Sequence, residues 1–157
     1  MTGRSLDDAV AAAAMSHVPP APAARVLEVE AGLGALTLRL ARAAAHVTAV
    51  DGSDAIVKAL RARVAVARLG NVEARVADAA ALPFPERSFD AAYFVSVLAP
   101  RDGVLAELRR VLVPGAPAIV VATDRDALVE DLALAGFDEV VAHAVAEANA
   151  WLAVGIA

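Results

Sequence analysis

The stretch that decides the fold is Val26-Leu-Glu-Val-Glu-Ala-Gly-Leu-Gly34, an apolar strand that runs into a glycine turn. A strand, a glycine turn and a helix together present unpaired N–H groups, and small residues let a ligand approach the backbone closely. Two glycines alone fit a tight turn without a ligand equally well. Asp51 favours a ligand, because nucleotide-binding α/β folds place a ribose acceptor at the end of the next strand. Taken alone, Asp51 fits a helix cap with Ser53 just as well.

Length and composition limit the remaining choices. The 157 residues predict one domain, 1–157, with room for a sizeable core. The sequence has no cysteine, which excludes disulfides and thiolate metal sites. Its three histidines, His17, His46 and His143, share no ligand spacing, so we predict no metal site.

Charge and hydropathy argue against polyanionic and lipid partners. A net charge of -5 and a single basic pair, Arg109-Arg110, predict that nucleic acid is not a partner. Charge or proline interrupts every long apolar run before about 18 residues, which predicts no membrane span. Asp7 and Asp8 lie ahead of an alanine run, unlike the basic start of a signal peptide. We therefore expect a cytoplasmic protein.

Short β-branched runs alternate with longer amphipathic stretches, a pattern typical of βα units on a mostly parallel sheet. Ser53 or Asp54 is the expected cap at the start of the third helix, Gly70-Asn71 its expected end, and Gly136 the expected end of the fifth. The last two strands are joined by too short a link for a parallel crossover, so they should pair antiparallel. The predicted helices cover 5–16, 35–45, 54–69, 103–112 and 124–135, and the predicted strands cover 25–29, 46–50, 72–76, 89–98, 118–123, 139–145 and 151–156.

Two further blocks carry a family resemblance. They are Asp78-Ala-Ala-Ala-Leu-Pro-Phe-Pro-Glu-Arg-Ser-Phe-Asp90 and Arg110-Val-Leu-Val-Pro-Gly115. Together with the glycine stretch and Asp51, they resemble the class I S-adenosylmethionine-dependent methyltransferases, in particular the small-molecule group, in wording and order. The resemblance covers roughly residues 26–123. It implies a Rossmann-like α/β fold with seven strands, mostly parallel with an antiparallel C-terminal strand, and helices on both faces.

The resemblance also implies a binding site for S-adenosylmethionine, with S-adenosylhomocysteine as the product. Carboxylates suit that cofactor because they accept hydrogen bonds from amine and diol donors. The implied cofactor-binding residues are Glu28 beneath the methionine amino group, Glu30, Gly32 and Gly34 in the glycine loop, Asp51 with Gly52 at the ribose hydroxyls, Asp78 at the adenine amine, and Ala79 with its N–H toward the adenine ring.

The chain departs from the family at three places. Glu30 stands where the family takes glycine. Within about 4 Å of the cofactor carboxylate it would cost on the order of 4 kcal/mol, whereas toward the ammonium or sulfonium it would attract. Ala99-Pro100 replaces a polar or aromatic stretch, so no catalytic residue is assigned. The short N-terminal segment and the lack of an insertion after the fifth strand predict an open site, completed by a partner protein or second subunit.

Three functions are compatible with these observations. The first is methyl transfer to a small-molecule nucleophile by proximity and orientation, which needs no catalytic base. The second is a catalytically degenerate protein of the same fold that acts as a binding or partner subunit. The third is a dinucleotide-dependent oxidoreductase, which the missing third glycine near Leu36 and Thr37 disfavours. The apolar strand 151–156 also predicts an exposed surface and a homodimer.

Overall fold

A computed structural model describes residues 6–96 and 100–157. Helices and strands alternate along most of these residues, as the hydrophobic pattern predicts. The helices are α1 Leu6–His17, α2 Thr37–Ala43, α3 Asp54–Val66, α4 Val104–Val111 and α5 Arg125–Leu134, with a 3-10 turn at Ala146–Ala148. The strands are β1 Arg25–Val29, β2 His46–Asp51, β3 Val72–Val76, β4 Ala91–Val95, β5 Pro117–Ala122, β6 Asp138–Val145 and β7 Ala150–Ile156.

The strands form one seven-stranded sheet in the order β3-β2-β1-β4-β5-β7-β6. Neighbours from β3 to β5 pair parallel, and β7 pairs antiparallel with both β5 and β6. The predicted antiparallel pairing of the last two strands is therefore confirmed. The order reverses at β1 and β4, and such a switch point opens a crevice at the carboxyl ends of parallel strands.

Apolar side chains cover both faces of the sheet, so the predicted Rossmann-like fold with helices on both faces is confirmed. On one face α1 and α2 pack through Val10 and Leu40 onto Val26 and Tyr93. On the other face, α4 packs through Leu108 into a second apolar core, which includes Leu27 of β1. Side chains alternate along a strand, which places Glu28 on the same face as Val26.

The end of α3 differs from the prediction. The left-handed residue is Arg68 (φ 54°) and not Gly70-Asn71, and Leu69 N donates to the Val64 carbonyl (3.2 Å). Leu69 packs with Val64 in the same apolar cluster, and this contact fixes the helix end before the glycine is reached. Asn71 instead caps α2, donating from Nδ2 to the Ala41 carbonyl at 2.8 Å.

Other predicted helix ends agree with the structure. Ser53 caps α3, its hydroxyl accepting from Ile56 N. Gly136 is left-handed (φ 87°) at the end of α5, as expected. Helix α2 is shorter than predicted, because Ala45 N donates to the Ala24 carbonyl and leaves the helix there.

Two strand predictions need correction. Strand β4 begins at Ala91 because Phe89 pairs in a single bridge with Leu112, and it ends at Val95, since Ser96 is already outside the strand. Residues 97–99, which include the predicted end at Leu98, lie outside the described residues. The apolar surface expected on the last strand is not exposed. Strand β7 lies between β5 and β6, and Leu152 and Ala153 are fully buried. The reason given for a homodimer was therefore wrong.

Candidate cofactor site

A cavity of about 770 Å³ opens at the carboxyl ends of β1, β2 and β4. Its volume lies within the roughly 300–1,000 Å³ typical of small-molecule sites. Four of the eight site residues expected from the sequence line it, namely Glu28, Glu30, Gly32 and Asp51. The other four, Gly34, Gly52, Asp78 and Ala79, do not. Further lining comes from Asp7, Asp8, Val10, Ala31, Leu33, Ala35, Leu36, Leu38, Arg39, Arg42, Arg63, Val95 and Ser96.

Glu28 is the buried carboxylate of the site. Only 3% of the residue is exposed, and its Oε2 accepts a hydrogen bond from the Thr37 hydroxyl at the start of α2. Burial raises the pKa of Glu28 to about 8, while the hydrogen bonds from Thr37 oppose that rise. A cationic group that entered the cavity beside Glu28 would favour the ionised form. Thr37 was not predicted in this role, although its position directly after the glycine turn places it near the end of β1.

Asp51 ties the glycine turn to the end of β2. Its Oδ2 accepts from Gly32 N (3.1 Å) and its Oδ1 accepts from Ser53 N (3.0 Å). Gly32 is left-handed (φ 56°), and a Cβ built there meets nothing within 4 Å, so the backbone faces open space. A Cβ built at Gly52 likewise meets nothing within 4 Å. These two glycines therefore leave room for a ligand next to Asp51.

Gly34 has a different structural role. It is left-handed (φ 87°), and an added Cβ would lie 2.5 Å from Leu60 Cδ1. The glycine thus lets α3 pack closely against the turn, and the residue itself does not line the cavity. The sequence does not predict this contact, because Leu60 lies in α3, which follows β2.

Glu30 adopts the left-handed conformation that its glycine-like position requires, with φ 58°. Its side chain is half-buried at the cavity wall. Burial raises the pKa of Glu30, the nearby Asp51 and Asp78 carboxylates add to the rise, and Arg101 opposes it. Glu30 therefore belongs to a group of three carboxylates with one guanidinium, contributed by the segments that follow β1, β2, β3 and β4.

Asp78 and Ala79 lie beside the cavity and do not line it. Asp78 Oδ1 accepts from Ala80 N (3.0 Å) and from Arg101 Nη2 (3.0 Å). The Ala80 N–H and the Arg101 guanidinium lower the pKa of Asp78. Ala79 is 2% exposed. Sequence reasoning missed Arg101, which follows Pro100 in a segment without a recognisable motif.

Helix α1 forms one wall of the cavity through Asp7, Asp8 and Val10. Asp8 pairs with Arg39 of α2, with Nη1 and Oδ1 3.1 Å apart. The short N-terminal segment thus covers more of the site than its length suggested.

The Tyr93 hydroxyl donates to the Val18 carbonyl, so this buried ring packs the core and does not reach the cavity.

The proline-rich segment before β4 is fastened to α4. Arg110 donates to the carbonyls of Leu82 (3.0 Å) and Phe84 (2.8 Å), and Glu107 accepts from Leu82 N (2.7 Å). Arg110 and Glu107 also form a two-pronged ion pair. The two sequence blocks after β3 therefore meet in space and hold the chain that leads from Asp78 back to the sheet.

Residues 6–96 and 100–157 contain neither a candidate metal site nor a candidate membrane span. No group of three or more His, Asp or Glu side chains in this part of the chain could hold a metal ion. His17 and His143, far apart in sequence, stack with ring centroids 4.3 Å apart. Of the helices in the same described segments, none has the length and apolar character of a membrane span.

Comparisons with known proteins agree with this geometry. The family model "Methyltransferase domain" matches residues 26–115. The demethylmenaquinone methyltransferase of Clavibacter sepedonicus is 39% identical over 107 residues, which are 66% of this chain and 42% of that protein. This chain thus spans about two fifths of the length of the curated relatives it matches.

Two solved structures extend the comparison. The [4+2]-cyclase SpnF is 28% identical, with a TM-score of 0.76 over 85% of this chain and 58% of that one. A SAM-dependent methyltransferase from Aquifex aeolicus gives a TM-score of 0.82 at 17% identity, covering 98% of this chain and 94% of that one, and this likeness concerns the fold alone. The family match over more than half of the chain identifies it as a member of the class I S-adenosylmethionine-dependent methyltransferases.

Proposed function

We propose that this protein transfers a methyl group from S-adenosylmethionine to a small-molecule nucleophile. The observation that carries the proposal is the meeting of Glu28, Gly32 and Asp51 on one cavity at the sheet switch point. The family match and the names of the curated relatives support it. They do not favour the alternative of a degenerate partner subunit.

The residues present fit the cofactor chemically. The buried Glu28 carboxylate would accept from the methionine ammonium, and Asp51 would accept from the ribose hydroxyls. The open space over Gly32 and Gly52 would admit the ligand against the backbone. Gly34 would shape the turn from behind. Asp78 and Ala79 would hold the adenine at the side of the cavity, although neither lines it in this structure.

Chemistry at this site would depend on position. When bound, the cofactor supplies a methyl group on a sulfonium, and the sulfur leaves as a neutral thioether. The chain then has to orient the acceptor and exclude water, which can supply most of the rate without a dedicated base. Helix α1 and Ser96 line the side of the cavity away from Asp51's loop and would border the acceptor.

The substrate class and setting are proposals as well. The relatives' names point to quinone-type acceptors, and reduced demethylmenaquinone is the first acceptor to test. We propose that residues 1–157 act as one domain, in the cytoplasm, without nucleic acid as a partner. A partner protein or second copy would contribute to the acceptor side of the cavity.

Titration calorimetry with S-adenosylhomocysteine tests the proposal. We expect saturable binding to the wild type and at least tenfold weaker binding to Asp51→Asn, which loses one acceptor at the ribose position. Asp138→Asn, on the edge strand β6, is the matched control and should bind as the wild type does. Absence of heat at millimolar ligand would contradict cofactor binding. Transfer of labelled methyl to reduced demethylmenaquinone then separates an enzyme from a binding protein.

A further inference from the structure

In the proposed binding mode, the position of Glu30 on the cavity wall bears on the positive charge of the cofactor sulfur. S-adenosylmethionine carries its sulfonium between the amino acid group and the ribose. If Glu28 holds the ammonium and Asp51 the ribose, the sulfonium lies between these two carboxylates. Glu30 lines the same cavity as Glu28 and Asp51, and its carboxylate interacts electrostatically with Asp51.

The Glu30 backbone is left-handed (φ 58°), and its side chain is half-buried. The charges that face it are Asp51 at the end of β2, Asp78 after β3 and Arg101 after β4. Arg101 is shared with Asp78, whose Oδ1 lies 3.0 Å from Arg101 Nη2. Of the three carboxylates in this group, Glu30 and Asp51 line the cavity, and Glu30 adds a negative charge to that lining.

We propose that Glu30 makes the site selective for the cationic cofactor over its neutral thioether product. The inference rests on the proposed function. S-adenosylmethionine and S-adenosylhomocysteine share the ammonium, carboxylate, ribose and adenine and differ by the methyl group and the positive charge at sulfur. A carboxylate beside the sulfur attracts the first ligand and gains nothing from the second. The product is then expelled more readily after transfer, and Glu30 acts as a specificity-determining residue.

The ratio of two dissociation constants isolates this effect. Calorimetry would measure Kd for S-adenosylhomocysteine divided by Kd for S-adenosylmethionine, without acceptor so that no turnover occurs. Glu28 and Asp51 are the same in wild type and variant, so their contributions cancel when the ratios of the two proteins are compared. We expect the ratio to exceed one in the wild type and to fall roughly tenfold in Glu30→Gln, which keeps the size and removes the charge.

Two further variants test whether a change in the ratio comes from the charge of Glu30. Glu30→Gly removes the side chain and suits the left-handed backbone, so it should fold and show the same loss of selectivity. Glu139→Gln is the matched control, because Glu139 is also left-handed (φ 50°) but exposed on β6, and its ratio should equal that of the wild type. Circular dichroism would verify that each variant is folded.

Each outcome decides something. An unchanged ratio in folded Glu30→Gln and Glu30→Gly would overturn the selectivity role while leaving cofactor binding intact. Tighter binding of both ligands by Glu30→Gly would show that Glu30 obstructs the site, which also overturns the inference. Failure of both ligands to bind wild type and Glu30→Gly would overturn the proposed function, and this inference with it.

Discussion

The Glu28 carboxyl group stays largely protonated in the folded protein at neutral pH. Burial raises its pKa to about 8 from an ordinary value of 4.5, so between these two pH values the folded chain holds a proton that the unfolded chain has released. The free energy of unfolding therefore falls as pH rises through this window. The stabilisation is complete below about pH 4.5 and is lost above about pH 8.

We predict that Glu28→Gln removes this pH dependence. Urea unfolding of wild type and variant at pH 5 and pH 9 should show that the wild type loses on the order of 3 kcal/mol more than Glu28→Gln does over that range. All other titrating groups are common to both proteins and cancel in the comparison. Parallel pH profiles would mean that Glu28 is ionised in the folded state at neutral pH.

The same group couples cofactor binding to protons. If the methionine ammonium ionises Glu28, binding at pH 7 releases a proton from the protein. The thermodynamic sign is then fixed, because affinity must rise with pH until Glu28 is ionised in the free protein. In the proposed binding mode, a buried acid at the end of β1 has a use, because Glu28 would become ionised when the methionine ammonium binds.

At the level of elements, the glycine turn packs closely against helix α3 at Gly34, and Arg63 of the same helix donates to the Leu33 carbonyl of the turn. Gly34 would place an added Cβ 2.5 Å from Leu60 Cδ1, whereas Gly115 has a similar left-handed φ of 83° but meets nothing within 4 Å. Both Gly→Ala variants incur the left-handed strain of about 1–2 kcal/mol. Only Gly34→Ala adds overpacking of about 1–3 kcal/mol.

We therefore predict that Gly34→Ala is the more destabilising of the two variants. The measurement is the urea midpoint at constant m-value, with Gly115→Ala as the matched control for backbone strain. Equal losses in the two variants would show that Leu60 moves aside at little cost. The turn would then be positioned by Asp51 and its bond to Gly32 N instead of by packing.

The elements themselves were largely predictable, because buried parallel strands produce continuous apolar runs separated by helix periods. Strands β1 and β3 agree with their predicted ends. The errors have two causes. At α3 the local glycine signal is overridden by another local contact, because Leu69 packs on Val64 five residues before it and Arg68 takes the left-handed conformation. At β4 the cause is long-range, because Phe89 pairs with Leu112, which nothing near Phe89 in the sequence encodes.

The site residues divide in the same way, into those that local sequence signals predict and those that only tertiary contacts bring to the site. Glu28, Glu30, Gly32 and Asp51 lie at strand ends or in one turn, and strand ends of a parallel sheet meet at one edge, so the topology brings them together. Thr37, Arg101 and the α1 wall were missed because they act through tertiary contacts of common residue types. Arg110 belongs to a sequence block but Glu107 does not, and only the structure shows that the two residues together anchor the Leu82 segment.

At the scale of the whole molecule, the cavity depends on several elements at once. Its walls come from α1, the end of β1, the glycine turn, α2, the end of β2 and the end of β4. A ligand that bridges these elements binds the folded chain and has no comparable site on the unfolded chain. Binding must therefore raise the free energy of unfolding of the whole domain, by about 2.7 kcal/mol at a ligand concentration one hundred times Kd.

We predict that S-adenosylhomocysteine at one hundred times its Kd raises the thermal midpoint by roughly 5 to 10 °C, since a chain of this size gains about 2–4 °C per kcal/mol. NADH is the informative control, because a dinucleotide oxidoreductase would respond to it in the same experiment. A shift with NADH and none with S-adenosylhomocysteine would replace the methyltransferase proposal by the dinucleotide alternative. Asp51→Asn should lose about half of the shift or more at the same ligand concentration, because tenfold weaker affinity leaves the ligand at ten times Kd and lowers the linked stabilisation to about 1.4 kcal/mol.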